Sequence, residues 1–280
     1  MLIDGKKLLK KKQKNSKAVG AFNVSSIEAL QAIFEACFEK KSEVFITTSS
    51  GESSYLIPEV VFVISEKLSK IYKVDYCLHL DHGSDLDWIE RCLKAGYNSI
   101  HADFGELNYK ENLKRTKLVR KLTDKYNAQL EGELGVIPLK YYRGKIDDNL
   151  VLTDPKLAGK YIEETKVDSL AVSIGTQSGM YKDTKEINLE VLKKIDSYLS
   201  DTPLVLHGGS LLSKKQYQDC IKDGISKINI NTELRLAYTY KLKKNLTVNS
   251  DEYAPYRLLK GCKDEMKKVV QEKIEIFRNE

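Results

Sequence analysis

Several features that would mark a protein class are scarce in this sequence. Five cysteines occur in 280 residues (Cys37, Cys77, Cys92, Cys220 and Cys262), and no two form a C-x-x-C pair. An odd, scattered set argues against a disulfide framework and fits reduced structural thiols in a cytoplasmic protein. Prolines number five, and no stretch is rich in Gly, Ser or Pro, so no linker divides the chain. With no sequence repeat either, residues 1–280 read as one domain. No apolar run reaches the ~20 residues of a membrane span. The opening segment "MLIDGKKLLKKKQKNSK" lacks the apolar core and small-residue cleavage site of an export signal. Charge of one sign is in short supply as well. Against 40 acidic side chains stand 46 basic ones, and the net +6 is interleaved along the chain, which gives no reason to expect a nucleic-acid partner. The lysines from Lys6 to Lys17 read as a solvated helix face.

What is present is alternation. Short β-rich runs at 19–24, 43–48, 75–80, 99–104, 128–134, 169–175, 203–209 and 227–230 are separated by longer segments of helical period. In "SIEALQAIFEACFEKK", Ile27, Leu30, Ile33, Phe34 and Cys37 fall on one stripe, and Val191, Leu192, Ile195 and Leu199 do so in "EVLKKIDSYL". Eight β-then-α units in a chain of this length predict an α/β fold, a (β/α)8 TIM barrel. The tail from Glu252 to Glu280 adds an amphipathic C-terminal helix with Leu258, Leu259, Met266, Val269, Val270 and Ile274 near one stripe, suited to packing on its own barrel or on a second subunit. The polar, turn-rich segment from Val136 to Asp154 is a candidate mobile loop over the barrel mouth.

Polar residues that look misplaced in apolar strands gather at the C-terminal strand ends. Asp81 and His82 follow strand three, Asp103 closes strand four, Glu133 strand five and His207 strand seven, and Asn229 lies in strand eight. That face is where barrel loops assemble active sites, so the convergence points to chemistry more strongly than any one residue does. Around it, "IGTQSGMYK", "HGGSLL" and "NINTE" combine glycines with hydroxyls, and Lys182 adds a cation. Together they suggest a phosphate cradle after strands six to eight.

These motifs resemble the class II, zinc-dependent ketose-bisphosphate aldolases, the fructose-1,6- and tagatose-1,6-bisphosphate aldolase family. The likeness runs in order through "AFNVSSIEAL", "HLDHGSD", "ENLKRTK", "EGELG", "TDPKLA", "TKVDSLAVSIGT", "PLVLHGGS", "KINI" and "MKKVVQEKIE". It implies a homo-oligomeric barrel, a homodimer or homotetramer, that makes or breaks a carbon–carbon bond beside the carbonyl of dihydroxyacetone phosphate. By position, Asp81 corresponds to the general acid/base, and His82 and His207 to zinc ligands. Asp103 and Glu133 correspond to carboxylates that hold the metal in an alternative position. Substrate and phosphate contacts map onto Asn23, Ser49, Gly179, Lys182, Gly208, Gly209, Ser210, Asn229, Asn231 and Thr232, with a monovalent cation near the phosphate.

The family's third histidine comes from a G-T-x-H-G motif after strand six, where this chain reads "GTQSG" with Ser178. Glu133 or Asp103 is then expected to complete a set of two histidines and one carboxylate. His101 faces opposite to Ala102 in an extended strand and could point inward. His79 shares the face of Asp81, as a supporting or substrate contact. The loop after the E-L-G motif carries Tyr141, Tyr142 and Arg143 where the family has a Gly-rich acidic pattern, and no proline turn follows Ser210. A metal-independent relative acting on a sugar phosphate by three-carbon transfer, isomerisation or epimerisation is the second reading, and a non-catalytic sugar-phosphate binder the third. Lys73 and Lys227 are expected at strand starts, the wrong end of the barrel for a Schiff base.

Overall fold

A computed structural model describes residues 1–137, 151–179, 186–199 and 201–279. Eight parallel strands close into a barrel in chain order. They are β1 (Val19–Asn23), β2 (Val44–Ser49), β3 (Tyr76–Gly83), β4 (Ser99–Ala102), β5 (Gln129–Leu134), β6 (Ser169–Val172), β7 (Leu204–Leu206) and β8 (Ile225–Ile230). The helices among the described residues are α1 (Gly5–Lys14), α2 (Ile27–Glu39), α3 (Ser50–Leu56), α4 (Pro58–Tyr72), α5 (Leu86–Ala95), α6 (Tyr109–Lys125), α7 (Pro155–Thr165), α8 (Leu189–Tyr198), α9 (Lys214–Lys222), α10 (Thr232–Val248), α11 (Pro255–Leu258) and α12 (Cys262–Phe277). The expected TIM barrel is therefore the fold.

Local chemistry sets the boundaries. Ser26, Asp85, Asn108, Asp154 and Asn188 each cap a helix by accepting backbone N–H groups of its first turn, which satisfies donors the helix itself cannot. Ser213 and Gln216 form a reciprocal capping box at α9. Gly96 ends α5 at φ +108°, where a side chain would strain the backbone and meet the Phe62 ring.

The strands are buried on both faces, and alternation sorts their side chains. Outward-facing Phe22, Ile46, Leu78, Leu80, Ile100, Leu130, Leu170, Leu206 and Ile228 join one apolar core with the helices. Leu30, Ile33, Phe34 and Cys37 of α2 are in that layer, whereas Ile27, expected on the same stripe, is 51% exposed at the helix start. Below the barrel, Leu8 and Leu9 of α1 plug the N-terminal end against Val19, Ala21, Phe45 and Cys77.

The tail differs from one continuous amphipathic helix. Leu258 ends the single turn of α11, and the stripe proper begins in α12, where Met266, Val270, Ile274 and Phe277 are buried. That helix packs against α2, α10 and β1 of its own barrel. All five cysteines are buried and unpaired, and no helix among the described residues is long and apolar enough to cross a membrane.

Candidate active site and metal centre

Asp81 and His82 are neighbours in sequence, and a regular strand would send them to opposite faces. The pairing of β3 with β4 shifts register between Leu80 and Gly83. At that irregularity His82 adopts φ +55°, a left-handed conformation uncommon for a non-glycine residue and often found at functional sites. Both side chains consequently face the barrel mouth. Asp81 is held by two amides: Asn23 donates to Oδ2 at 2.9 Å and Asn229 to Oδ1 at 3.0 Å.

Three imidazoles converge on this carboxylate. Ring centroids of His82 and His101 are 4.9 Å apart, those of His82 and His207 4.9 Å, and those of His101 and His207 4.5 Å. From Asp81 Oδ1, His82 Nε2 stands at 3.8 Å, His101 Nδ1 at 3.9 Å and His207 Nδ1 at 3.7 Å. Behind the histidines lie carboxylates. Asp103 Oδ2 is 2.6 Å from His82 Nδ1, Glu131 Oε1 2.9 Å from His207 Nε2, and Glu133 Oε2 3.3 Å from His101 Nε2.

The charges interlock. Burial opposes ionisation of Asp81, but the adjacent His82, His207 and His101 outweigh it and hold the carboxyl far below its usual range. Burial would lower His82, yet Asp81 and the bond to Asp103 push it up to about 10. His207 is lowered to about 4 by burial and by His101. Glu133 is pushed up to about 7, first by burial and then by the charge of Asp103. Such opposed shifts in neighbouring groups characterise sites that move protons or hold cations.

One ligand atom each from Asp81, His82, His101 and His207 lies within 4.8 Å of the others, and a second such group is His82, Asp103 and Glu133. The donors fit a divalent cation of the zinc type, which takes imidazole nitrogen and carboxylate oxygen. His101 Nε2 and Glu133 Oε2 are buried without a hydrogen-bond partner, as are Asn23 Oδ1 and Asn229 Oδ1 beside Asp81. Buried polar atoms rarely stay unmatched, so their concentration at one mouth suits a site built for a cation and a polar ligand.

Several of the expected phosphate residues lie at the C-terminal strand ends or in the loops that follow them. Gly179 and Gly208 have φ of +107° and +60°, and a Cβ on Gly209 would meet Ile228 and the Asn229 carbonyl. Ser210 Oγ accepts the Asn231 N–H at 3.2 Å. Thr232 opens α10, whose N-cap Asn231 makes no side-chain cap, and a helix N-terminus suits an anion. Ser49 caps α3 in a capping box with Glu52, and Asn229 turns to Asp81. Lys182, Tyr141, Tyr142 and Arg143 lie outside the described residues, as does most of the segment expected to form a mobile loop.

Two buried residues, Glu131 and Glu52, were missed from sequence, and Lys227 was misplaced. Glu131 and Lys227 lie inside the barrel, fully buried, with Lys227 Nζ 2.8 Å from Glu131 Oε2 and 3.1 Å from His79 Nε2. Lys227 is thus not at a strand start: β8 begins two residues earlier, at Ile225, and places it mid-barrel. His79 lies in this lower layer, with Nδ1 2.5 Å from Ser99 Oγ. Glu52, buried beside Asn23, accepts from Asn23 at 3.0 Å, Asn231 at 3.3 Å and Arg235 at 2.6 Å. Strict period-two alternation through "AQLEGEL" was the available signal for Glu131, since it puts Gln129, Glu131 and Glu133 on one face.

A closed parallel barrel with a histidine–carboxylate cluster at its C-terminal mouth has the build of a barrel enzyme. Comparison with known proteins makes this specific: a sequence model described as fructose-bisphosphate aldolase class-II matches residues 3–280. The chain belongs to the class II fructose-bisphosphate aldolase family and is an aldolase-type lyase. Among solved structures, the YdjI aldolase from Escherichia coli K12 is 30% identical, with 99% of this chain and 97% of that one covered at a TM-score of 0.86. A putative fructose-1,6-biphosphate aldolase from Coccidioides immitis is 24% identical, covering 98% and 95% at 0.84. Fructose-bisphosphate aldolase from Campylobacter jejuni, 23% identical over 99% and 95% with a TM-score of 0.85, shares the fold.

Proposed function

We propose that the protein cleaves and forms the C3–C4 bond of a ketose phosphate or bisphosphate, with dihydroxyacetone phosphate as the three-carbon partner. The observation that carries this reading is Asp81, an anion fixed by Asn23 and Asn229 and facing three imidazoles within 4 Å. In cleavage, Asp81 takes the proton of the C4 hydroxyl, the C3–C4 bond breaks, the aldehyde departs and the bonding pair stays on the three-carbon fragment, which is then protonated at C3. His82 and His207 would hold a divalent cation, with zinc suited to the donor set, and the cation would supply Lewis acidity toward the substrate carbonyl. The two amides on Asp81 keep the carboxylate oriented, and the glycine-lined loops with the α10 N-terminus receive the phosphate.

A cytoplasmic setting fits the five unpaired thiols. Tyr240, Leu246 and Val248 of α10, with Tyr253 and Tyr256 following it, form an exposed apolar arm suited to a second copy in a homodimer or homotetramer. The reaction is tested by NMR exchange of the C3 proton of dihydroxyacetone phosphate in D2O, before and after chelation and with zinc readded. Exchange lost to chelator and restored by zinc is expected. Exchange that survives complete metal removal would overturn the metal-assisted form, and no exchange in any condition would overturn the choice of substrate.

A further inference from the structure

We propose that His101 is the third imidazole of the metal centre, so that the cation is held by His82 from β3, His101 from β4 and His207 from β7 with Asp81 alongside. Ser178 on the loop after β6 is then not required as a ligand. The inference rests on the reading above that a divalent cation binds at this mouth.

The first ground is spacing. Ligands about 2.0–2.1 Å from a tetrahedral ion lie about 3.4 Å from one another. His82 Nε2 and His207 Nδ1 are 3.3 Å apart, and the three forward nitrogens stand 3.7–3.9 Å from Asp81 Oδ1. All four ligand atoms lie within 4.8 Å of one another, so modest side-chain adjustment brings such a set onto one ion.

The second ground is tautomer. Ligating histidines almost always give their other N–H to a carboxylate or carbonyl, which frees the forward lone pair. Asp103 stands behind His82 and Glu131 behind His207 within hydrogen-bond distance. Glu133 stands behind His101 at 3.3 Å, and neither atom of that pair has another partner. His101 Nδ1 accepts the backbone N–H of His82 at 3.2 Å, so in this arrangement that nitrogen carries a lone pair, not a proton. The bond is long, and a metal bond at Nδ1 would take its place.

Three imidazoles, each backed by its own carboxylate, also settle the roles of those carboxylates. Asp103, Glu131 and Glu133 orient histidines, and Asp81 is the carboxylate that shares the front of the cluster.

The test uses the full-length protein. Zinc affinity is measured by competition with a colorimetric chelator for the wild type, His101→Gln and Ser178→Ala, and zinc K-edge X-ray absorption counts the imidazoles. The wild type is expected to bind one zinc per chain with three imidazoles. His101→Gln should lose on the order of 100-fold in affinity, at or beyond the range seen when residues supporting metal ligands are removed, while Ser178→Ala stays unchanged. Stoichiometric zinc with two imidazoles, or undiminished affinity in His101→Gln, would overturn this proposal and leave the metal-assisted reading standing. A wild type that takes up no zinc would overturn both. The imidazole count is made on the wild type, so it does not depend on the variant folding.

Discussion

Along β3, Tyr76, Leu78 and Leu80 alternate with Cys77, His79 and Asp81, and the two sets meet different surroundings. The outward set packs under the helices in one continuous apolar core. The inward set begins with an apolar plug at Cys77, continues through His79 in a layer of buried polar groups, and ends at the site with Asp81. The same gradient runs up β8 from Lys227 to Asn229 and up β5 from Gln129 through Glu131 to Glu133. A barrel interior is commonly filled by branched apolar side chains. Here its middle is a connected polar chain: Glu131 to Lys227 to His79 to Ser99, with Gln129 bonded to both Ser99 and Ser169. The outer face stabilises by burial, and the inner face holds charge in a fixed geometry whose cost falls as its groups are paired.

The sharpest separation of the two faces comes from Asp81→Asn. The amide keeps the size of the side chain but cannot take the hydroxyl proton. Retro-aldol turnover measured by coupled assay should fall by roughly 10²–10⁴-fold, the usual contribution of a positioned acid/base, with a folded protein by circular dichroism. Retained turnover would remove Asp81 from the chemistry and return the inner face to a structural role.

One layer down, Glu131→Gln leaves Lys227 as a buried, unpaired ammonium, and breaking such a pair typically costs about 3–5 kcal/mol. Urea denaturation should show that loss. Glu131→Leu combined with Lys227→Met replaces the pair by apolar side chains of similar bulk and should recover most of the stability, since such replacements are often neutral or better. The double variant still lacks the acceptor behind His207 Nε2, so zinc affinity should remain about 10–100-fold weaker. If affinity recovered together with stability, the polar layer would be packing alone, and the distinction between the faces would fail at that depth.

These comparisons also explain what could be read from sequence. Strand alternation and helix caps act locally, so the eight strands, the inward Asp81 and Asn229, and the packing stripe of α2 were legible. His82 faces the mouth because of a register shift against β4 and a left-handed backbone, neither of which residue types announce. Lys227 was misplaced because the run at 227–230 was taken as the whole strand, while in the barrel β8 already begins at Ile225, paired with Leu204 of β7. Its partner Glu131 is 96 residues away, and only closure of the barrel brings the two together. His101 presents the same difficulty in milder form: its inward direction followed from alternation, but its distance to His207 on β7 did not.

The smallest effect tests the outer surface, where charge is cheap to rearrange. Glu43 is partly buried at the foot of the barrel, and Lys11 and Lys12 of α1 reach it at 2.7 and 3.0 Å. Burial opposes its ionisation, but the hydrogen bonds and charges of the two lysines prevail and push the carboxyl down to about 2. A carboxyl depressed in the folded state contributes stability above its unfolded value of 4.5, and that contribution is lost as pH falls from there toward 2. With solvent screening at a partly exposed group, the contribution is about 1 kcal/mol or less. Thermal melts of Lys11→Met/Lys12→Met should therefore fall slightly below wild type near neutrality, with the gap narrowing below pH 4.5 and closing toward pH 2. A gap that stayed constant across that range would assign the loss to packing of the buried Lys12 stem and not to charge. A gap comparable to that of Glu131→Gln would mean that the outer surface carries charge as consequential as the barrel interior.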